Sequence, residues 1–256
     1  MILKCIAALG LAVSLSSTAS AQDWYVGGTI GFSQQNDSPN SGETGAFTTG
    51  NLGDGSTLAV AEGTEYGWDT EFDSGLALSG EAGLRFENGF RAAVEVTYSE
   101  ADVDTHEGVT LGGGNIDGVD AAALAGAPDP LDVTVGALVA DGQGDISSTS
   151  IFANAYYDFG LGGPFRPFVG AGIGLSDVDV EYSPSGVGII DGGDTVFAYQ
   201  LKAGASYALT EQLEAYGEYA YRAADEIDVS NDLFPGRLDI ESEVNVFSVG
   251  LRYTFG

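Results

Sequence analysis

Regular alternation of apolar and polar residues dominates the end of the chain. In the segment 243–256, one face of an extended strand carries Phe247, Val249, Leu251, Tyr253 and Phe255. The opposite face carries small or charged side chains. We predict that this segment is the closing strand of a barrel, paired with residues 24–32 on one edge and 213–222 on the other. Such closure would leave the sheet without an unpaired edge.

Seven further segments show the same alternation and are predicted as strands. They cover residues 24–33, 75–86, 90–99, 148–159, 167–175, 195–207 and 213–222. Short turns at 87–89, 160–166 and 208–212 alternate with four long polar segments, and Asn88-Gly89 is a strong hairpin signal. This pattern predicts an all-β fold: an eight-stranded antiparallel transmembrane β-barrel, up-and-down, with four long extracellular loops and three short periplasmic turns.

The second long segment, between residues 100 and 147, is the least regular part of the pattern. Ala121–Ala127 is compatible with one helical turn, and Leu131–Val139 alternates well enough to form a spare strand. We predict a loop with some β extension here. Whether Leu131–Val139 forms an extra strand or only extends the loop stays open.

Alternation alone does not say which face of the barrel is inside. A soluble exported binding barrel would use the same pattern with its apolar face inward. Aromatic residues near strand ends favour a membrane, since they form girdles at both interfaces. Glycines recur on the opposite face, where they would leave room for long Arg and Glu side chains in the lumen. The membrane barrel is therefore the preferred interpretation, with the soluble barrel as an alternative.

The beginning of the chain resembles an export signal. Lys4 precedes an apolar run over residues 5–15, and Ala19-Ser20-Ala21 forms a small-residue cleavage site. We predict a signal peptide over residues 1–21, cleavage before Gln22, and a barrel domain over residues 22–256. The apolar run is too short to span a bilayer as a helix. The single cysteine of the sequence would be removed with it.

Charge is distributed unevenly between the predicted loops and strands. The formal net charge is −30, which makes nucleic acid an unsuitable partner. Most acidic residues fall in the four long segments, whereas most basic residues fall on the polar faces of the predicted strands. Because isolated buried charges are costly, the charges on those faces should pair inside the lumen. The predicted lumen charge network consists of Glu81, Arg85, Arg91, Glu95, Lys202, Glu214, Glu218, Arg222 and Arg252.

Few residues suggest catalysis or metal binding. His106, the only histidine, follows Asp102 and Asp104, and an Asp/His pair can activate water. Nothing else in the sequence completes such a site, so we interpret His106 as a solvated loop residue and predict no enzyme activity. The segment 112–120 (GGGNIDGVD) looks like a single turn of a Gly/Asp calcium repeat, which binds calcium only when copies stack, and the acids of 177–181 alternate on an extended chain. Both segments are interpreted as solvated loop charges. No cofactor is expected beyond divalent cations held loosely between acidic loops and a phosphorylated lipid surface.

Three stretches resemble a known family. The stretch 151–176 (IFANAYYDFGLGGPFRPFVGAGIGLS), the stretch 197–209 (FAYQLKAGASYAL) and the ending VGLRYTFG resemble the OmpA-like eight-stranded outer-membrane β-barrel family, near the opacity-type surface antigens of Gram-negative bacteria. This resemblance implies insertion in the cell outer membrane by the barrel-assembly machinery and loops exposed at the surface. Family members commonly end on an aromatic residue, whereas here Phe255 is followed by Gly256.

The resemblance also sets the functional expectation. We expect an outer-membrane surface protein with a structural or interaction role, such as envelope integrity, adhesion or a surface antigen, exerted through acidic loops. Expected partners are outer-membrane lipids and lipopolysaccharide, the assembly machinery, and molecules on host or neighbouring cells. A small porin for ions or small solutes is the first alternative, although eight strands enclose an interior that side chains about fill.

Overall fold

The computed structural model describes residues 23–160 and 163–255. The predicted signal peptide and its cleavage before Gln22 lie outside the described residues and stay predictions. No helix in the described part of the chain is long and apolar enough to cross a membrane. The elements in chain order are β1 (Asp23–Gln35), β2 (Ser38–Thr44), β3 (Phe47–Thr48), β4 (Ala59–Val60), β5 (Thr64–Phe72), β6 (Gly75–Arg85), β7 (Phe90–Leu111), β8 (Gly114–Asn115), α1 (Ala122–Ala125), α2 (Val135–Val139), β9 (Gly144–Asp158), β10 (Phe165–Tyr182), a 3-10 turn (Pro184–Gly186), β11 (Ile190–Ala208), β12 (Leu213–Ser230) and β13 (Gly236–Phe255).

Eight of these strands form a closed antiparallel ring, which confirms the predicted barrel. The ring runs β1, β6, β7, β9, β10, β11, β12, β13 and back to β1. Trp24 pairs with Phe255 where β1 meets β13, and Leu213 pairs with Tyr253 where β12 meets β13. The closing strand therefore has the two neighbours that the sequence predicted. At the first short turn, Gly89 adopts a φ of 88°, a conformation that favours glycine.

The strands continue well beyond their predicted ends. β7 reaches Leu111, β10 reaches Tyr182, and β12 and β13 extend to Ser230 and from Gly236. Residues 177–194 and 223–242 fall in two of the four long polar segments of the sequence, and most of both is paired strand instead of loop. Together with β2 and β5, which join β13 to β7, these extensions continue the sheet beyond the barrel. We call this part the head and define it as residues 36–74, 100–147, 177–196 and 225–243.

The facing of apolar side chains reverses between barrel and head. On β10, Ile173 and Leu175 point outward in the barrel, whereas Val178 and Val180 point inward in the head. The strand does not change its inside and outside, since side chains alternate without interruption. What changes is the polarity of the outer face, which carries large apolar side chains along the barrel and acids along the head. The head consequently has a packed apolar core, which includes Ile227, Leu238 and Ile240 at 0% exposure.

The segment Leu131–Val139, considered above as a spare strand or loop extension, contains a short helix instead. α2 begins after Thr134, whose side-chain oxygen accepts a hydrogen bond from the Ala137 N–H at 3.3 Å. Val135 and Val139 are four residues apart, so they share one helical face and are both buried in the head core. The apolar residues of this segment are compatible with both periods: their alternation suggested a strand, whereas the four-residue spacing of Val135 and Val139 fits a helix. α1 lies within Ala121–Ala127, where one helical turn was considered.

Candidate functional site: the lumen and the head

Ion pairs fill the lumen at the end where the short turns lie. Glu214 on β12 accepts two hydrogen bonds from the Arg85 guanidinium, at 3.0 and 2.8 Å, and a third from Arg166 Nη1 at 2.7 Å. Asp158 on β9 accepts from Arg91 Nε at 3.0 and 2.9 Å. The bidentate Arg85–Glu214 pair holds both partners in a fixed orientation, whereas the single Nε–H of Arg91 is shared between the two Asp158 oxygens. The Arg85 and Arg166 side chains are partly exposed at the mouth, whereas both carboxylates are buried.

In the middle of the lumen, two guanidinium groups stack on aromatic rings. Arg91 lies 4.3 Å from the Tyr156 ring centroid, and Arg252 lies 4.3 Å from that of Tyr216. Arg252 also donates to Glu81 Oε1 from Nη2 at 3.0 Å and from Nε at 3.2 Å. Stacking of this type is strongest where water is excluded. Because the Arg91 and Arg252 side chains are at most 1% exposed, this layer closes the cross-section of the barrel.

A third layer lies next to the head. Lys202 Nζ on β11 donates to Glu95 Oε1 at 2.6 Å and to Glu218 Oε1 at 3.0 Å. Glu95 Oε2 accepts from the side-chain amides of Asn154 and Gln200, both at 2.8 Å. Gln200 in turn accepts from Arg222 Nε at 3.2 Å. Two cations and two anions therefore balance each other in this layer.

The structure places all nine residues of the predicted network on the lumen side of the barrel, in three layers. Arg166 and Asp158 were missing from that prediction. Arg166 was counted in a turn over 160–166, but β10 already begins at Phe165, so Arg166 points inward on the strand. Asp158 alternates in phase with Asn154 and Tyr156, and this phase was the signal that could have identified it. With both included, six cations face five carboxylates in the lumen.

Lumen glycines make room for aromatic rings more than for long charged side chains. A Cβ built on Gly170 would lie 2.3 Å from Tyr156 Cδ1, and one on Gly204 would lie 2.6 Å from Phe168 Cζ. A Cβ built on Gly27, by contrast, would lie 3.2 Å from the side chain of a charged residue, Glu81. The aromatic rings that occupy this space are the ones that carry the stacked arginines. The expected reason for the glycines is thereby corrected.

The closing strand presents its five apolar residues to the outside. Their exposure ranges from 39% at Tyr253 to 65% at Val249. Between them, Arg252 and Ser248 point into the lumen and are buried. A row of large apolar side chains in contact with water would be strongly unfavourable, so this face requires an apolar environment.

Hydroxyl groups separate the charged lumen from the apolar head core. Ser150 and Ser176 are hydrogen-bonded at 2.8 Å, Ser99 and Ser148 at 2.9 Å, and Ser33 donates to the Glu100 carbonyl at 2.8 Å. A cavity of about 10 Å³ beside these groups has room for one water molecule at most. The lumen is thus interrupted at this level by side chains that satisfy one another.

His106 lies in the head core, and the interpretation of it as a solvated loop residue is wrong. It is 2% exposed and lies on β7, where the pairing with β5 skips one residue between Val103 and Thr105 and thereby turns His106 inward, away from Asp102 and Asp104. Its Nδ1 is 2.8 Å from Thr70 Oγ1, and its ring packs edge-on against Trp68 and Tyr182. Burial lowers the pKa of His106 to about 4. The imidazole is therefore neutral at pH 7, and none of the hydrogen bonds to it in the described residues comes from a carboxylate.

The acids of the head lie on its outer surface. Asp177, Asp179 and Glu181 alternate with buried residues on β10 and are all exposed. Burial and the neighbouring carboxylates of Glu181 and Asp102 raise the pKa of Asp145. Within the part of the chain that the structure describes, no group of three or more His, Cys, Asp or Glu side chains is arranged to hold a metal ion.

Asp120, in the segment 112–120 with spaced acids, has a structural role. Its carboxylate accepts hydrogen bonds from the backbone N–H groups of Ala122, Leu131 and Asp132, which lowers its pKa. These bonds tie α1 to the segment that leads into α2. The side chain therefore organises the tip of the head.

Known outer membrane proteins are similar to this chain in sequence or in fold. The chain is 28% identical over 138 residues to outer membrane protein PagN of Salmonella typhimurium, which is 50% of this chain and 55% of PagN. The chain thus matches about half the length of that curated relative. Among solved structures, outer membrane protein OprG from Pseudomonas aeruginosa superposes with a TM-score of 0.51 at 15% identity, over 93% of this chain and 97% of OprG. Neisserial surface protein A gives a TM-score of 0.47 at 17% identity, over 92% of this chain and 100% of that one.

The similarity to OprG concerns the fold alone. The sequence pattern of the family described as "Outer membrane protein beta-barrel domain" matches residues 5–255, which is nearly the whole chain. The apolar outward face of the ring is accordingly the face that meets lipid, and the protein is located in the outer membrane. The chain belongs to the outer membrane protein β-barrel domain family.

Proposed function

We propose that this protein is a surface protein of the outer membrane with a structural or interaction role, in which the barrel is a closed anchor and the head makes the contacts. The observation that carries this proposal is that the outer face is apolar along the barrel and acidic along the head. A transmembrane barrel needs only connecting loops outside the membrane. Here the strands continue to build a water-facing domain with its own apolar core, which suits a defined and persistent outer surface.

The lumen supports an anchor rather than a pore. Its three layers place Arg252, Arg91 and Lys202 across the interior, each buried and each paired with a carboxylate. Opening a path for ions would require these pairs to separate inside the barrel, where their desolvation is not compensated. The small porin therefore has less support than the closed anchor.

The outer surface of the head indicates what kind of contact it makes. Outward acids such as Asp179, Glu181, Asp228 and Asp239 give it a dense negative charge. Such a surface attracts cationic partners at long range and repels lipopolysaccharide phosphates unless divalent cations lie between them. We propose positively charged groups on host or neighbouring cells as the contacts of the head. Lipopolysaccharide bridged by loosely bound divalent cations is the contact proposed near the membrane.

Two measurements on the refolded protein test this proposal. The first records conductance of planar bilayers containing the protein. We expect no unitary current steps, because the lumen is filled by paired side chains. The second measures binding of protein-loaded lipid nanodiscs to intact epithelial and bacterial cells, with empty nanodiscs as the baseline.

A matched variant separates specific contact from general adhesion in the second measurement. The substitutions Asp177→Asn, Asp179→Asn and Glu181→Gln remove three outward charges of the head without touching its core. We expect binding above baseline that falls in this variant and at high salt. Regular current steps in the first measurement, together with baseline binding in the second, would replace the anchor with the porin.

A further inference from the structure

The sheet of the head has one junction at which neighbouring strands do not pair. In the barrel, β11 and β12 pair in continuous register up to Ala198 and Ala224. Both strands continue into the head, β11 over residues 190–197 and β12 over residues 225–230. Within the described residues, β11 pairs there with β10 alone and β12 with β13 alone, whereas the other neighbouring strands of the head stay paired. We call the unpaired junction between residues 190–197 and 225–230 the seam.

A β-bulge in β12 explains why the pairing stops. Asp225 and Glu226 together lie opposite the single residue Glu241 of β13, which shifts the side-chain phase of β12 by one residue. The even-numbered Arg222 points inward below the bulge, and the odd-numbered Ile227 points inward above it. Because β11 keeps one phase through this level, the register of the barrel cannot continue across the seam.

Few polar contacts hold the two edges of the seam together. Within the part of the chain that the structure describes, no residue pairing, side-chain hydrogen bond or ion pair joins one edge to the other. The Thr195 N–H donates to Asp194 Oδ1 at 2.7 Å, and thus to its own strand. A backbone hydrogen bond closes the outer end, from the Asp232 N–H to the Ile189 carbonyl at 2.9 Å. The ladder of strand pairs is therefore replaced at the seam by a bond at its outer end.

Apolar packing and charge act in opposite directions at the seam. Val229 on β12 packs across it, since a Cβ built on Gly192 of β11 would lie 3.8 Å from Val229 Cγ1. Beneath it, Ile190 and Ile227 are both 0% exposed. The charged side chains exposed on the two edges are all acidic: Asp191, Asp194, Asp225, Glu226 and Asp228. Arg237 compensates one of them, at 2.8 Å from Asp228, and like charges on neighbouring strands repel each other. Side-chain packing therefore holds the seam closed against the repulsion of its acids.

We propose that the head opens along the seam, where the outer ends of β11 and β12 move apart while the ladder below Ala198 and Ala224 stays closed. Opening at any other junction of the head breaks a series of backbone hydrogen bonds, whereas opening here breaks the bond of Asp232 and separates apolar side chains. Lipid does not tolerate an unpaired strand edge, which confines the motion to the head. The open state presents two strand edges and their acids to the outside. This motion is independent of whether the barrel is an anchor or a pore.

Hydrogen exchange of two backbone amides provides the first test. The Asp232 N–H bonds across the outer end of the seam, and the Ser183 N–H bonds to the Gln143 carbonyl at 2.8 Å across the end of the paired strands β9 and β10. Both are measured by NMR in isotope-labelled protein refolded into lipid nanodiscs. Because the seam lacks a ladder, we expect the protection factor of Asp232 to be about tenfold lower than that of Ser183. Protection of Asp232 equal to or above that of Ser183 would overturn the proposal.

A disulfide across the seam provides the second test. Protein refolded without residues 1–21 has no cysteine, so Gly192→Cys with Val229→Cys introduces a single pair, at a spacing that suits a bridge. We expect the oxidised variant to raise the protection of Asp232 about tenfold, to leave Ser183 unchanged, and to lose this effect on reduction. Oxidation that leaves the protection of Asp232 unchanged would overturn the proposal.

Two further variants separate the seam from the rest of the head. Ser147→Cys with Asp179→Cys, at directly opposite positions on the paired strands β9 and β10, is the matched control and should leave Asp232 unchanged when oxidised. Val229→Ala removes the side chain that packs across the seam and requires no bridge, so it also covers a seam disulfide that fails to form. It should lower the protection of Asp232 and spare Ser183. Equal changes at both amides in any of these variants would show that the head opens as a whole and not along the seam.

Discussion

Removal of Lys202 provides the sharpest test of the charge layers in the lumen. Lys202 Nζ lies between Glu95 and Glu218, at 2.6 and 3.0 Å, and all three side chains are at most 5% exposed. Lys202→Met keeps the length of the side chain and removes its charge. Glu95 retains its bonds to Asn154 and Gln200, but Glu218 loses the one donor recorded for it among the described residues.

The expected loss follows from the charge balance of this layer. Lys202 and Arg222 balance Glu95 and Glu218, so the substitution leaves one uncompensated carboxylate in a closed interior. Breaking a buried pair in this way costs about 3–5 kcal/mol of unfolding free energy. Removing Glu218 as well, by Glu218→Leu, restores neutrality with apolar side chains of similar volume. The double variant should therefore be more stable than Lys202→Met alone, by about 2–4 kcal/mol.

Urea titration of the protein in phospholipid vesicles measures these differences. Trp24, half-exposed on the lipid side of β1, reports barrel formation through its fluorescence. Glu214→Leu is the matched control, because Glu214 is bonded to Arg85 and Arg166 and not to Lys202. Combined with Lys202→Met it should give additive losses. Additive losses also for Glu218, or a loss below about 1 kcal/mol for Lys202→Met, would refute the reasoning that these charges depend on each other.

Three further outcomes are expected. Burial lowers the pKa of His106 to about 4 from an ordinary value of about 6.5, so the head keeps its full stability above pH 6.5 and loses about 3 kcal/mol of it as the pH falls from 6.5 to 4. Amide exchange of head residues should show this loss of stability, and His106→Phe should reduce the loss. In protein refolded without residues 1–21, a fluorophore on Val249→Cys should be quenched by brominated lipid tails and one on Ser248→Cys spared, and the reverse order would overturn the facing of every strand. Leu238→Ala, at a site with 0% exposure, should destabilise the head by about 2–5 kcal/mol while the barrel keeps its heat-dependent gel mobility, and a parallel loss of that mobility would contradict separate packing.

The barrel could be predicted from the sequence because one rule governs all its strands. Lipid outside and side chains inside impose an alternation with period two, and residues 243–256 display it without interruption. The short turns indicated which strands are neighbours. The pairing of the last strand with the first followed from the requirement that the sheet have no free edge. Only strand ends were uncertain, and this uncertainty removed Arg166 from the predicted lumen network.

The head was missed because its strands use the opposite polarity. In the sequence 175–182 (LSDVDVEY), the outward positions after Leu175 carry acids, whereas the outward positions before it carry apolar residues. A search for an apolar outer face therefore ends at Leu175. The inner phase, Val178, Val180 and Tyr182, continues the strand with apolar residues, so alternation itself never stops. His106 was misjudged for a different reason. Its acidic neighbours suggested water, and regular alternation would place it on the same outward face as Asp102 and Asp104, but the residue skipped between Val103 and Thr105 turns it inward.

The level at which polarity reverses also separates two kinds of interior. Below it, unlike charges and arginine–aromatic stacks depend on exclusion of water. Above it, burial of apolar side chains depends on water outside the head. Between them, the hydroxyl pairs Ser150–Ser176 and Ser99–Ser148 are satisfied across neighbouring strands and require neither a charge nor an apolar contact.

A boundary of this kind limits how far a disturbance in one interior can travel. The apolar cluster that contains Ile240 includes none of the partners in the ion pairs of Lys202, so loosening the head leaves the lumen charges paired. The barrel is in addition stabilised by lipid, in which an open strand edge is not tolerated. Local opening of the head should therefore occur at lower free energy than opening of the barrel. A head that can open while its anchor stays closed can therefore change its outer contacts without creating a leak through the membrane.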